Sequence, residues 1–390
     1  MKISPIPEIV SGAGALDALD AFLRTKKARS VVIVSGPTVS RLEAFASIQE
    51  ACARGGRSVA VFSRTQADPS MELAREAAAF AQDFGAEAVV GVGGGSPLDT
   101  AKIVAALLTN PVTVVDLIGI DRIEHPCAPL VAIPTTAGTG SEVTNVSILT
   151  DTVANLKKAV ISDRIVPGLA LLLPEMTTKL LPSTTAATGM DALCHAAEAV
   201  LSKKKNPISE ALALAALPRI ARSLPVVIAD PENIEARTEL LEASLLAGLA
   251  FNNASVTAIH AFAYPLGGRF HTAHGLANSL MFAPVMRHNL ESDRPGFTKL
   301  ARAFAGSDKP EAFVEAVVAL RSTLPLPQSL RQAGIPEDSL EPMADDVMTI
   351  ERLLSVNPAP ISRLDAGRIY REAWEGEPVL TNLVSTEEGP

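Results

Sequence analysis

The sequence predicts an α/β fold in two parts: an N-terminal domain on a parallel sheet with helices on both faces, then an all-α C-terminal domain. Three observations carry this. Short β-branched runs alternate with helical patterns up to about residue 180, the signature of parallel βαβ units. Beyond Leu181-Pro182-Ser183, Ala- and Leu-rich segments take over and β-branched runs nearly vanish. At 390 residues the chain also exceeds one ordinary core, which divides it into domains 1–180 and 181–390.

The expected strands are Ser30–Val34, Ser58–Phe62, Ala88–Val92, Val112–Val115 and Leu130–Ile133, with a helix over Met71–Phe84. Runs such as Ala88–Val92, apolar throughout, suit strands buried on both faces. In the second part Ser209–Leu217, Ile234–Phe251 and Glu311–Leu324 read as helices. No internal repeat or low-complexity segment interrupts the pattern.

Composition excludes several classes. A formal charge of −9 without a basic face argues against a nucleic-acid partner, and Lys203-Lys204-Lys205 reads as a solvated helix end. Cys52, Cys127 and Cys194 form no CxxC pair and no disulfide framework, so a reducing, cytoplasmic setting is expected. The start, MKISPIPEIV, has prolines where a signal peptide needs an apolar run. No apolar stretch was expected to approach the roughly 18 residues of a membrane span, so no membrane partner is expected.

The fourth strand of this reading is preceded by a turn with chemistry. Val89 to Asp99 runs from a buried strand through Gly93-Gly94-Gly95 into a helix, with Ser96 suited to the N-cap, Pro97 to the first helical position and Asp99 to reach back to the cap. Glycines that let backbone N–H groups approach a ligand at a helix N-terminus favour a diphosphate. The turn is neither a GxGxxG fingerprint nor a Gly-Lys-Ser/Thr loop, and alone it would also read as an ordinary capped turn. A second polar loop, Pro134 to Glu142, follows the last strand at the same sheet edge, where open α/β sheets bind ligands. Two such loops suggest a dinucleotide.

Asp191 and His195 are four apart in a helical pattern, so they share one face and can converge on an ion. His260 and His274 flank Pro265-Leu266-Gly267-Gly268, a break expected to turn the chain so that both face one point. One carboxylate and three imidazoles suit Fe²⁺ or Zn²⁺. Either pair alone also arises by chance or as hydrogen-bonded core residues; beside a nucleotide domain they read as one site. Phe251, Phe262 and Leu266 are expected to line an apolar pocket for a small substrate without high charge.

The motifs together resemble the iron-containing (group III) alcohol dehydrogenase family. Gly93 to Lys102 is similar to its GGGSxxDxAK signature, Pro134 to Glu142 to its PTTxGTGSE loop, Thr188 to Ala199 to its TGxDALxHAxEA helix, and His260 to Asn278 to its HAxxxPLGxxxxxxHGxAN pattern. The similarity runs from about Ile9 to Pro358. It implies a dinucleotide-binding domain and a helical metal domain with the active site between them, acting on a small alcohol or aldehyde. It assigns metal ligation to Asp191, His195, His260 and His274, and cofactor contacts to Gly94, Gly95, Ser96, Asp99, Thr135, Thr136, Thr139 and Lys158. Relatives of this family are commonly dimers or larger, so a homodimer or larger homo-oligomer is expected.

Two positions depart from the family pattern. Tyr264 stands where several relatives carry a histidine assigned to proton relay, and His271 lies close in sequence; water, a ribose hydroxyl, His271 or Tyr264 would deliver the proton. The expected chemistry is hydride transfer with metal polarisation of the substrate oxygen. Its rivals are a metal-free maleylacetate-reductase-like enzyme, a dehydroquinate-synthase-like lyase and a non-catalytic nucleotide sensor.

The second departure concerns the cofactor. Gly36 occupies the position after the first strand where NAD-preferring relatives carry an acidic residue for the ribose hydroxyls. A carboxylate there would repel a 2′-phosphate, so its absence opens the site to NADP as well as NAD. Steady-state kinetics with each cofactor should show turnover with NADP(H); turnover with NAD(H) and none with NADP(H) would contradict the role given to Gly36.

Overall fold

The computed structural model of the chain describes residues 3–12, 14–153 and 156–376; the last residues of the expected second domain, 377–390, lie outside them. Nine strands form among the described residues: β1 Glu8–Ser11, β2 Ser30–Ser35, β3 Ser58–Phe62, β4 Ala88–Gly93, β5 Gly119–Ile120, β6 Leu130–Pro134, β7 Val146–Asp151, β8 Leu156–Ile161 and β9 Leu169–Leu172. Six pair in the order β1-β9-β6-β4-β2-β3, every neighbour parallel. Between them run α1 Ala15–Thr25, α2 Glu43–Ala53, α3 Met71–Phe84, α4 Gly95–Leu107 and a short α5 Val114–Leu117. Separate apolar clusters on the two faces, one with α1 and α2 and the other with α3 and α4, sandwich the sheet.

The strand order places the ligand edge. The chain steps from β2 outward to β3, then returns to the other side of β2 with β4. That reversal opens a crevice at the carboxyl ends of β2 and β4, where open parallel sheets bind ligands. Gly36 follows β2 and the glycine turn follows β4, so both lie at this crevice.

Several local expectations are corrected. Val112–Val115 is no strand: Thr113 caps α5 with a capping box to Asp116, and local side-chain hydrogen bonding overrides the β-branched composition. β1 and β9 were not read, because EIVS is a short edge strand between prolines and turn residues and LALL contains no β-branched residue. Strands β7 and β8 form an antiparallel hairpin that β5 extends. At the glycine turn Gly94, not Ser96, caps α4. The Asp99 carboxylate reaches away from the cap, accepting from Ser141 Oγ at 2.7 Å and the Ile148 amide at 2.8 Å.

From Pro182 the chain is helical: α6 Pro182–Leu201, α7 Pro207–Ala229, α8 Ile234–Ala254, α9 Ala258–Phe270, α10 His274–Leu290, α11 Arg294–Ala305, α12 Glu311–Ser322, α13 Leu340–Met348, α14 Glu351–Leu354 and α15 Arg363–Glu375. Contrary to the sequence reading, α7 is long and apolar enough to cross a membrane. It nevertheless packs against α6, α8 and α11, and its apolar residues join the core of this half.

The two halves dock through the loop after β6. A Cβ on Gly138 would come within 2.7 Å of the Thr188 carbonyl on α6, and one on Gly248 of α8 within 2.8 Å of Gly140 Cα. Gly140 itself sits at φ 60°, the left-handed region that favours glycine. Only hydrogen at these positions allows so close an approach.

Candidate metal and cofactor site

Helix α6 supplies a polar stripe through an apolar helix. Asp191, His195 and Glu198 follow i, i+4, i+7 spacing and therefore share one face, and all three are buried. Asp191 Oδ1 lies 3.9 Å from His195 Nε2, 3.8 Å from His260 Nε2 and 3.8 Å from His274 Nε2. An ion with tetrahedral bonds of about 2.0–2.2 Å sets its ligand atoms roughly 3.3–3.6 Å apart, so the four donors need only a slight contraction. Ligand atoms of Asp191, His195 and His260 all fall within 4.8 Å of one another. His274, at 45% side-chain exposure, is the open side of the cluster.

The turn that brings His274 to His260 is not the one expected. Pro265, Gly267 and Gly268 lie within α9, and the chain reverses at His271, whose φ of 53° ends the helix, through Thr272 and Ala273. His260 is thus three residues into α9, and His274 begins α10.

Each buried imidazole has a partner that fixes its proton. His195 Nδ1 faces the Gly138 carbonyl at 3.1 Å, and His260 Nδ1 meets the Glu198 carboxylate. A proton held on Nδ1 leaves the Nε2 lone pair aimed at the cluster. Glu198 is itself saturated: its Oε1 accepts from the Thr257 and Ile259 amides and the Thr257 hydroxyl, at 2.8–3.1 Å. Burial opposes charge on Asp191, but the three imidazoles outweigh it and hold its pKa low. Burial likewise opposes charge on Glu198, and His260 outweighs it. Burial lowers His195 to about 4, which keeps it neutral and able to ligate.

Asn278 sits at the hub. Its Nδ2 lies 2.7 Å from Asp191 Oδ1, 3.1 Å from His260 Nε2 and 3.2 Å from His274 Nε2, while its Oδ1 is buried without a partner. Three lone-pair donors around one small polar group mark the space a divalent cation fits. The imidazoles stack, His195 on His260 at 4.7 Å between centroids, and Phe251 covers His195 at 4.2 Å.

Of the expected pocket residues, Phe251 alone belongs to this wall. Phe262 and Leu266 are fully buried in the helical core, with Phe262 against Tyr370 at 4.9 Å. Phe262 is two residues, about 200°, around α9 from His260, which turns it away. Tyr264, one turn on from His260, lies on the same face, half-buried, with its ring 6.4 Å from His274. The His271 side chain is exposed at the end of α9.

The cofactor-type residues gather at the crevice. A Cβ on Gly94 would lie 3.3 Å from Thr136 Oγ1 and one on Gly95 3.1 Å from Thr139 Cγ2, so the two polar loops touch. The Thr135 amide donates to the Gly93 carbonyl at 2.9 Å, and the Ser96 carbonyl accepts from Thr100 Oγ1 at 2.9 Å. Thr136 Oγ1, Ser35 Oγ and Thr65 Oγ1 are buried without protein partners at the ends of β6, β2 and β3, a row of polar atoms suited to a ribose-phosphate chain. Beneath the loop Lys102 Nζ donates to Ser141 Oγ, Thr144 Oγ1 and the Val146 carbonyl. Both carboxylate oxygens of Asp99 accept from protein groups, so Asp99 braces the loops. Lys158 lies half-buried in the hairpin opposite Leu149.

Sequence reading missed Glu198 and Asn278. The i+7 spacing from Asp191 could have exposed Glu198, and the i+4 spacing from His274 could have exposed Asn278.

Comparison with known proteins agrees with this geometry. Residues 7–174 match the iron-containing alcohol dehydrogenase model, and residues 185–374 the C-terminal model of the Fe-containing alcohol dehydrogenase family. Long-chain-alcohol dehydrogenase 1 of Geobacillus thermodenitrificans is 36% identical over 94% of each chain. The 1,3-propanediol dehydrogenase of Klebsiella pneumoniae is 35% identical over 82% of this chain and 84% of its own. A crystal structure of 1,3-propanediol oxidoreductase superposes with a TM-score of 0.93 at 31% identity, covering 96% of this chain and 100% of that one. The sulfoacetaldehyde reductase of Bifidobacterium kashiwanohense, solved in complex with NAD⁺, gives 0.89 at 28% identity, over 95% and 98%. The chain belongs to the iron-containing alcohol dehydrogenase family. It is an oxidoreductase acting on CH–OH groups, which sets aside the lyase and the sensor.

The Glu198 contact gives a direct test. In Glu198→Gln the amide oxygen can keep the Thr257 and Ile259 bonds, but an NH₂ then faces His260 Nδ1 and drives its proton to Nε2. Divalent-metal titration should show affinity reduced roughly ten- to hundredfold, with circular dichroism unchanged. Unaltered affinity would contradict the tautomer role.

Proposed function

We propose that the enzyme interconverts a small alcohol and its aldehyde, using NAD(H) or NADP(H), with Asp191, His195, His260 and His274 holding a divalent cation. Fe²⁺ is the first candidate on family grounds, and the same donors accept Zn²⁺. The observation that carries this reading is the near-equal spacing of three imidazole nitrogens, 3.8–3.9 Å, around one buried carboxylate oxygen. When bound, the cation would supply Lewis acidity at the substrate oxygen and the nicotinamide the hydride or its acceptor.

The chain's own residues do the rest. Gly94, Gly95, Ser96, Thr135, Thr136 and Thr139 would take the diphosphate side of the cofactor, with Lys158 a further contact and Gly36 leaving room at the ribose. Phe251 shields His195 from water. The Tyr264 hydroxyl, on the same helix face as His260, would deliver the proton, with His271, water or a ribose hydroxyl as the other candidates. The buried, unpaired Cys52 and Cys194 support a reducing, cytoplasmic setting. The edge strand β1, with Ile9 at the surface and Ile6 exposed just before it, supports an assembly of two or more copies, which light scattering checks.

His260→Ala should abolish metal retention and turnover while NAD(P)H binding, followed by nicotinamide fluorescence, stays measurable. Wild-type activity in that variant after rigorous metal removal would overturn the mechanism.

A further inference from the structure

The hairpin of β7 and β8 is fastened at both ends, in different ways. At its base the Ile148 amide donates to the Asp99 carboxylate on α4, and the buried Lys102 Nζ donates to the Val146 carbonyl. Leu149 and Val160 are buried in the apolar cluster that holds α3 and α4. The far end of the hairpin meets the loop that follows β3. There the Thr150 amide donates to the Pro69 carbonyl at 2.8 Å, and Thr150 and Ser70 form a parallel bridge. Lys157 Nζ donates to Thr150 Oγ1 at 3.2 Å and pairs with the Asp68 carboxylate. Thr152 Oγ1 adds a bond to Glu72 Oε2 at 3.3 Å, in the first turn of α3.

In the sheet order β6-β4-β2-β3, the carboxyl ends of β4 and β2 lie between these two fastenings, and that is the ligand crevice. The loop after β3 starts within it. The Thr65 amide donates to the Ser35 carbonyl at 3.2 Å, and a Cβ on Gly36 would lie 3.1 Å from the Thr65 carbonyl. A closed circuit of chain thus runs from the glycine turn along the hairpin to Asp68 and back to Gly36, with Lys158 in it beside Lys157. Its links differ in strength. The base is buried, whereas Asp68 and Lys157 are 57% and 29% exposed in their side chains, so water and salt weaken their attraction. Asp68 also sits at φ 53°, a backbone conformation that a residue other than glycine adopts at some cost. The circuit opens most easily there.

We propose that the β7–β8 hairpin is a strap over the cofactor crevice and that Asp68 and Lys157 form its clasp, so that this pair sets how fast bound NAD(H) or NADP(H) leaves. Both are positioning residues, acting through the hairpin that carries Lys158. The inference rests on the cofactor reading above and adds to it the device that retains the cofactor.

The test follows release of NADH and NADPH from metal-loaded wild type, Asp68→Asn, Lys157→Gln and the double variant. Stopped-flow nicotinamide fluorescence reads it during a chase with excess oxidised cofactor. Each single variant should release about two- to fivefold faster, the scale of a half-exposed ion pair. The double variant should be no faster than either single, because the same contact is lost in all three. Asp68→Glu should keep part of the slow release, and added salt should speed release more in wild type than in the variants. Release as slow as wild type in both single variants, or effects that multiply in the double variant, overturns the inference. If wild type binds neither cofactor, the cofactor reading fails instead. The clasp is then decided by hydrogen exchange at the Thr150 amide: faster exchange in Asp68→Asn upholds it, and equal exchange overturns it.

Discussion

The structure turns on a carboxylate that could not be where it is without its neighbours. Asp191 is 2% exposed in the centre of an Ala- and Leu-rich helical core. An isolated ionised group there would be strongly disfavoured by lost hydration. Within the chain it accepts from the Asn278 amide, 2.7 Å from its Oδ1, and faces three imidazole nitrogens brought from α6, α9 and the start of α10. The same demand repeats one layer out, where Glu198 is buried and answered by His260, Thr257 and Ile259. Two negative charges and three imidazoles form a net-anionic cage, open at His274, and a divalent cation is the species that completes its charge balance.

That cage is tied to the nucleotide half by one segment. The loop after β6 touches the glycine turn through Thr136 and Thr139, offers the Gly138 carbonyl to His195, and packs Gly140 on Gly248. The residues proposed to line the cofactor and the group that sets the His195 tautomer therefore belong to the same stretch of chain. A displacement of this loop would be felt at both. The buried Lys102 and Asp99 beneath it hold β7 and the loop in place, a structural use of Asp99, which the motif alone assigns to the cofactor.

Much of this was legible in the sequence, for reasons that differ by element. Met71–Phe84 and Ser58–Phe62 have the bounds expected, because local periodicity and turn residues agree with the tertiary fold there. Asp191 and His195 were readable from helical spacing alone. His260 and His274 were the right residues joined by the wrong device: proline and two glycines are accommodated within α9, and the reversal comes from the left-handed backbone at His271, which no residue type announces. β9 was hidden because Leu-Ala-Leu-Leu favours helix locally and is a strand only through pairing with β1 and β6.

The central claim is that three imidazoles and one carboxylate surround a single divalent ion. X-ray absorption of the anaerobically Fe²⁺-loaded protein reads that shell directly. The account predicts one ion per chain, with outer-shell scattering from three imidazoles and nitrogen or oxygen ligands at about 2.0–2.2 Å. A sulfur ligand, or fewer than three imidazoles, would contradict it.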